Sequence, residues 1–136
     1  MGFSGFKTGI YMPKSGKCLK TTIVKYRSSY ELAFCKLLDA ADYVVRWEFE
    51  KYYIGYDFKG VHHHYLVDFM IETKDGQRFL IEIKPKVFYE RAMKLKDKNW
   101  AKWNAAISFC NKRSWKFKVI TEVSIPILQA AWLNKV

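Results

Sequence analysis

Two apolar runs joined by a short polar loop constrain the fold of this chain more than any other feature. Residues 64–72 and 78–84 are short runs of large apolar and β-branched side chains interrupted by single charged residues, a composition typical of β-strands. The loop between them, residues 73–77, contains Asp75-Gly76, a pair that is common in tight turns. The pattern therefore predicts a β-hairpin.

Charged residues interrupt both strands, and the length of the loop decides whether they share one face. Glu82 and Lys84 lie two positions apart, so they lie on the same face of their strand. A two-residue loop would send Asp68 and Glu82 to opposite faces, and no shared site would exist. A three-residue loop, with Gly76 left-handed in a bulge, sets Asp68 across from Glu82 with their Cβ atoms roughly 4.5 to 5.5 Å apart.

The second register predicts a metal site. Two carboxylates at such a distance repel each other unless a proton or a cation lies between them. A hard divalent ion with oxygen ligands suits that place, so this register predicts Mg²⁺ or Mn²⁺ at Asp68 and Glu82. The competing interpretation is a surface ion pair between Glu82 and Lys84.

An amphipathic helix upstream supplies a third acid. Apolar residues recur at helical spacing from Tyr30 to Ala41, which predicts a helix of about 14 residues. Ser28 and Glu31 have the spacing of a capping box, so the helix is expected to begin at Ser28 or Ser29. Glu31 also falls at the margin of the apolar stripe, where it can reach a site on the sheet edge. Capping and a role in the site are both open, and they do not exclude each other.

The remaining segments complete a mixed α/β single domain over residues 1–136. They are a basic arm (1–25), short strands (43–58), a lysine-rich stretch after Pro85, a helix (99–112), a strand (116–121) and a short helix after Pro126.

The charge of the chain indicates a polyanionic partner. Lysine and arginine number 24 against 13 aspartates and glutamates, a formal net charge of +11. Basic residues that neutralise phosphates release condensed counterions, so nucleic acid is the expected partner. No apolar run is long enough to span a membrane, and the three cysteines have no disulfide or zinc spacing.

Taken together, the acidic and basic residues match a known pattern. Three segments carry the match: Tyr26 to Glu31, Val67-Asp68, and Ile81 to Lys86. This set resembles the PD-(D/E)xK nuclease superfamily, with Val67 where the name of the superfamily has proline. Within the superfamily it is most similar to the small phage head-completion nucleases of T-even type. It is more distantly similar to TnsA-type endonucleases and phage Holliday-junction resolvases.

The resemblance implies a restriction-endonuclease-like fold of one helix, a three-stranded antiparallel meander, a second helix and a strand. It also implies a Mg²⁺-dependent DNA endonuclease, in which Mn²⁺ can substitute. Asp68 and Glu82 would bind the metal with the Ile83 carbonyl as a further ligand, and Lys84 would orient the attacking water. Glu31 would complete the acidic set, through a metal-bound water or by orienting Lys84.

DNA is expected to be bound through its backbone, because no recognition helix or zinc finger is evident. The residues expected to contact phosphate are Arg27, Lys86, Lys94 and Lys98. The nearest family implies processing of DNA ends at head completion, with capsid or portal components as partners and a location in the host cytoplasm or the virion. Two alternatives are a homodimeric Holliday-junction resolvase and a catalytically silent protein that binds DNA or capsid.

Other conspicuous residues have structural interpretations. Three consecutive histidines, His62 to His64, point alternately to opposite faces of a strand and cannot converge on one ion, which favours an exposed strand edge. Trp103 belongs to the apolar stripe of the second helix and is expected in the core. Cys35 and Cys110 are expected to pack in the interior as thiols.

Overall fold

A four-stranded sheet with helices on both faces forms the centre of the protein. The computed structural model describes residues 7–18 and 23–134. The elements in chain order are β1 (Gly9–Tyr11), β2 (Val24–Tyr26), α1 (Ser29–Ala40), β3 (Val44–Phe49), β4 (Tyr53–Phe58), β5 (Val61–Leu66), β6 (Phe69–Thr73), β7 (Arg78–Ile83), α2 (Lys86–Leu95), α3 (Lys98–Asn111), β8 (Lys116–Ile120) and α4 (Ser124–Leu133).

The strand order confirms the expected fold class. The central sheet has the order β3-β6-β7-β8, in which β3, β6 and β7 are antiparallel and β8 is parallel to β7. This is the predicted meander followed by a helix and a strand, and the hairpin β4–β5 is inserted between its first two strands. In the described part of the chain, no helix is long and apolar enough to cross a membrane.

The alternation of β6 and β7 divides the core into two clusters. One cluster contains Ile71 and Ile81 and packs against α1 and α4, for example against Phe34. The other contains Leu80 on the opposite face and packs against α3 around Trp103. Cys35 and Cys110 are buried in these two clusters, as predicted.

Helix α1 begins where its capping box predicts. The Oγ atom of Ser28 accepts a hydrogen bond from the backbone N–H of Glu31 at 3.0 Å, and Glu31 accepts in return from the N–H of Arg27 at 3.1 Å. The first contact satisfies a donor that the first helical turn leaves unpaired, and the second fixes the backbone just before the N-cap. The helix start is therefore held by side chains adjacent in sequence.

The hairpin β6–β7 has the three-residue loop. Phe69 pairs with Ile81, the N–H of Thr73 donates to the carbonyl of Gln77 at 3.0 Å, and Gly76 has a φ of 80°. A left-handed residue at this position is the signature of the bulged turn, and glycine adopts it without strain. The register that places Asp68 and Glu82 on one face is confirmed.

The prediction of one continuous strand over residues 64–72 is wrong. The segment divides at Val67-Asp68, because its first part pairs with β4 while β6 pairs with β3 and β7. The N–H of Val67 donates to the carbonyl of Tyr52, and the N–H of Glu50 donates to the carbonyl of Asp68. Asp68 thus lies at the point where the chain passes from one sheet to the other.

Two further segments are more ordered than the sequence indicates. The lysine-rich stretch after Pro85 contains α2, whose one buried residue is Ala92. Within the expected basic arm, β1 pairs with β2, and Asp39 of α1 accepts hydrogen bonds from Tyr11, Ser15 and the N–H of Lys14. The C-terminal helix is present as α4, beginning at Ser124.

Candidate active site

A cavity of about 420 Å³ opens where the start of α1 meets the ends of β5 and β7. The three acids singled out from the sequence, Glu31, Asp68 and Glu82, all line it, and so do Ile83 and Lys84. The fold therefore brings together residues that lie up to 53 positions apart in the chain (84 − 31).

Asp68 is held against the backbone of β7. Its Oδ2 atom accepts a hydrogen bond from the N–H of Ile83 at 2.9 Å. Burial raises the pKa of Asp68 well above its usual value, and the negative charges of Glu82 and Glu31 raise it further. A cation beside this carboxylate would offset both the burial and the repulsion.

Glu82 is the most fully enclosed acid of the cavity, with 5% of its surface exposed. Its Oε1 atom accepts a hydrogen bond from the hydroxyl of Tyr65, and its Oε2 atom accepts from the indole N–H of Trp103 at 3.1 Å. The Nζ atom of Lys84 lies 3.5 Å from the same Oε2. Each carboxylate oxygen therefore has a donor, as a buried charge requires.

Glu31 lies where both of the roles left open by the sequence can be met. It completes the capping box through the N–H of Arg27, and it lines the cavity with only 7% of its surface exposed. Burial raises the pKa of Glu31, and the Arg27 N–H and guanidinium oppose this increase. The charges of Glu50 and Glu82 raise the pKa further.

The donor chemistry of the cavity fits a hard divalent cation. Carboxylate and carbonyl oxygens are the ligands that Mg²⁺ and Mn²⁺ prefer. Within residues 7–18 and 23–134, no three His, Cys, Asp or Glu side chains form a metal-binding cluster by themselves. A site here would therefore combine Asp68 and Glu82 with the Ile83 carbonyl and water, while Glu31 would act through water.

Of the four basic residues predicted to contact DNA, Arg27 lines the cavity of the acids, and the three lysines do not. Arg27 lines the cavity and forms an ion pair with Glu50, with Nη2 and Oε2 2.7 Å apart. Lys86 lines a neighbouring cavity of about 330 Å³, and its backbone N–H donates to Glu122 at 2.8 Å. Lys94 and Lys98 are exposed on helices.

The three histidines alternate as expected. His62 and His64 are exposed on one face of β5, while His63 is less exposed and stacks on Tyr56. Asp57 pairs with His62 at 2.8 Å, and His64 lies in the wall of the cavity. They do not converge on one ion.

Sequence comparison identifies the family. The family model described as TnsA-like endonuclease N terminal matches residues 20–122, a range that contains every acid of the cavity. The chain belongs to the TnsA-like endonuclease N-terminal family. It is also 32% identical to the head completion nuclease of Enterobacteria phage T4, over 73% of this chain and 79% of that protein. The resemblance to the PD-(D/E)xK nucleases is confirmed, and the chain is a nuclease.

Three side chains in this member of the TnsA-like endonuclease family were not predicted to belong to the site. Tyr65 and Trp103 hold Glu82, and Lys102 of α3 lines the cavity above the ring of Tyr65. Trp103 is buried, as predicted, and its indole N–H also donates to Glu82. Its place in the apolar stripe of α3 indicates only the packing role, because the contact to β7 depends on how the helix docks.

Proposed function

We propose that this chain is a Mg²⁺-dependent DNA endonuclease that hydrolyses phosphodiester bonds and processes phage DNA ends during head completion. The observation that carries the proposal is the convergence of Asp68, Glu82 and Lys84 in one cavity. Membership of an endonuclease family and the similarity to a head completion nuclease support the reaction and its setting.

The metal would be held by Asp68, Glu82 and the Ile83 carbonyl. When bound, it supplies positive charge that stabilises the negative charge developing on the phosphate. The crowding of Glu31, Asp68 and Glu82 in one cavity supports this assignment, because a cation beside the carboxylates offsets their mutual repulsion. Mn²⁺ has the same preference for oxygen ligands and is expected to substitute.

Lys84 would orient the attacking water. Its Nζ atom stands beside Glu82, so its position is held by a carboxylate that is itself held by Tyr65 and Trp103. An ammonium group can donate a hydrogen bond to the water oxygen, and its charge favours loss of a proton from that water. Glu31 would orient Lys84 or a water from the opposite side of the cavity.

The DNA would be recognised through its phosphates. The net charge of +11 supports backbone attraction, for which Arg27, Lys86, Lys94 and Lys98 are the proposed contacts. The setting of the T4 relative suggests capsid or portal components as partners and a place in the host cytoplasm or the virion.

Cleavage assays test the proposal. Supercoiled plasmid, linear duplex and four-way junction DNA are incubated with wild-type protein and with Asp68→Ala, in Mg²⁺ or in EDTA. Asp42→Ala is the matched control, because Asp42 is an exposed acid outside the cavity. We expect Mg²⁺-dependent cleavage by the wild type and Asp42→Ala, and a loss of at least about 100-fold in Asp68→Ala.

Three outcomes would change the proposal. Undiminished cleavage by Asp68→Ala would overturn the assigned metal site. Absence of cleavage with any DNA would favour a silent binder of DNA or capsid. Selective cutting of the junction, together with a dimer in sedimentation, would replace end processing by junction resolution.

A further inference from the structure

The geometry points to Lys102 as the residue of this cavity that binds a phosphate of the DNA backbone, a role separate from that of Lys84. The inference rests on the proposed function, because it concerns the substrate of the same site. Lys102 belongs to α3, an element that follows the hairpin of Asp68 and Glu82 in the chain. It therefore adds a contact that the nuclease motif does not contain.

Lys102 is held in place by the ring that also holds Glu82. Its Nζ atom lies 5.5 Å from the centre of the Tyr65 ring, a distance at which a cation is attracted to the face of an aromatic group. Tyr65 in turn donates its hydroxyl to Glu82. The ammonium group of Lys102 is thus directed to the cavity wall beside the acids.

The ion pairs around the cavity distinguish Lys102 from its neighbours. Arg27 is paired with Glu50 at 2.7 Å, and Lys84 is paired with Glu82 at 3.5 Å. In the described part of the chain, Lys102 forms no ion pair within 4.0 Å, although it is only partly exposed.

An ammonium group that is partly removed from water is stabilised by an anionic partner. The carboxylates of Glu82 and Asp68 attract Lys102 but lie beyond ion-pair distance from it, and both oxygens of Glu82 are engaged by Tyr65, Trp103 and Lys84. A phosphate oxygen that enters the cavity would supply the missing partner. Lysine presents a compact charge without directional demands, which suits a contact to any DNA sequence.

Three variants test this role. Lys102→Met removes the charge but keeps an apolar stem against Tyr65, and Lys102→Arg keeps the charge. Lys112→Met is the control, because Lys112 is an exposed lysine at the far end of the same helix, roughly 15 Å along its axis. Circular dichroism and thermal unfolding verify folding, and Lys102→Gln replaces the methionine variant if that variant is unfolded.

Two readouts separate binding from chemistry. Fluorescence anisotropy measures the Kd of a duplex oligonucleotide with Ca²⁺ in place of Mg²⁺, with intact DNA verified on a gel. Cleavage in Mg²⁺ gives kcat and KM. We expect Lys102→Met to raise Kd and KM about tenfold and to lower the salt slope of binding by about 1. Lys102→Arg and Lys112→Met should stay within about threefold of the wild type.

The outcomes keep the two proposals apart. Unchanged Kd and KM in folded Lys102→Met would overturn the assignment of Lys102. Equal losses in Lys102→Arg and Lys102→Met would show a packing role and overturn it as well. If wild-type protein binds DNA without cutting it while Lys102→Met binds more weakly, the nuclease proposal fails and the phosphate contact of Lys102 stands.

Discussion

Trp103 donates a hydrogen bond from its indole nitrogen to the Oε2 atom of Glu82, 21 positions earlier in the chain, across 3.1 Å. The contact joins α3 to β7 and fixes one oxygen of a carboxylate that the proposed mechanism needs. Trp103, which is buried like an ordinary core residue, thus also orients Glu82. The packing of the second cluster and the geometry of the acids are therefore linked.

Replacing this donor should weaken both stability and chemistry. We expect Trp103→Phe to lower the free energy of unfolding by about 2 kcal/mol, because a buried oxygen loses a donor and the smaller ring leaves space. Cleavage should fall about tenfold as Glu82 becomes less ordered. Urea unfolding and initial rates measure the two effects. Trp100→Phe, a partly buried residue of the same helix, is the control and should behave as the wild type.

Metal binding should be detectable without cleavage. Because two carboxylates share the cavity, we expect Mg²⁺ or Mn²⁺ at a hundredfold excess over its Kd to stabilise the protein by about 2.7 kcal/mol. Differential scanning calorimetry measures this as a rise in Tm, and isothermal titration gives the affinity. Asp68→Ala should lose the response, whereas Asp42→Ala should keep it. The same Tm shift in Asp68→Ala would place the ion elsewhere.

The two roles of Glu31 can be separated by the choice of substitution. Glu31→Gln keeps an oxygen that can accept from the Arg27 N–H, so we expect its stability to remain within about 0.5 kcal/mol of the wild type. Glu31→Ala removes the reciprocal half of the capping box, the contact to the Arg27 N–H, and should lose about 1 kcal/mol. Both variants should reduce cleavage, because the negative charge is gone. Full activity in Glu31→Gln would restrict Glu31 to capping.

The contacts that the N-terminal segment makes with Asp39 should make the free energy of unfolding depend on pH in the acid range. Burial tends to raise the pKa of Asp39, but hydrogen bonds from Ser15, Tyr11 and the N–H of Lys14 outweigh it, so the pKa is lowered overall. A carboxyl with a lowered folded pKa contributes stability above its unfolded pKa of about 3.9. That contribution is lost as pH falls through the folded value.

We therefore expect Asp39→Asn to lower stability at neutral pH and to flatten the loss of stability on the acid side. Urea unfolding between about pH 2 and pH 6 measures the slope for both proteins. Asp75→Asn is a useful comparison, because Asp75 also has a lowered pKa, with Thr73 as the main cause, but lies in the hairpin loop away from β1. An unchanged acid slope in Asp39→Asn would remove Asp39 from this role.

The local features of this protein follow from residues close together in the chain. The capping box of α1 lies within residues 27–31, and the three-residue loop depends on a left-handed Gly76. Each feature is decided by hydrogen bonds and backbone conformation over a few residues, so the sequence of those residues indicates it. Alternation alone assigns Glu82 and Lys84 to one face, and the loop then decides that Asp68 joins them.

Other features depend on which segments dock against each other. The strand expected over residues 64–72 divides because its first part finds its backbone partners in β4, whereas the part after Val67-Asp68 finds them in β3 and β7. Alternating apolar residues mark a strand but do not name its partner, so this division is invisible in the pattern. Helix α2 is absent from the prediction, which treated the segment only as a lysine-rich stretch, and in the structure its one buried residue is Ala92.

The acids and the lysine of the nuclease motif were thus recognisable from the sequence, because the loop and the alternation of β7 are local. Three further residues were decided by the tertiary structure alone: Tyr65 and Lys102 in the lining of the cavity, and Trp103, which donates to Glu82. They come from β5 and α3, and the docking of α3 on the sheet brings them to Glu82. Local hydrogen bonding specifies the register of a hairpin, whereas contacts between distant elements arise only when their apolar faces pack.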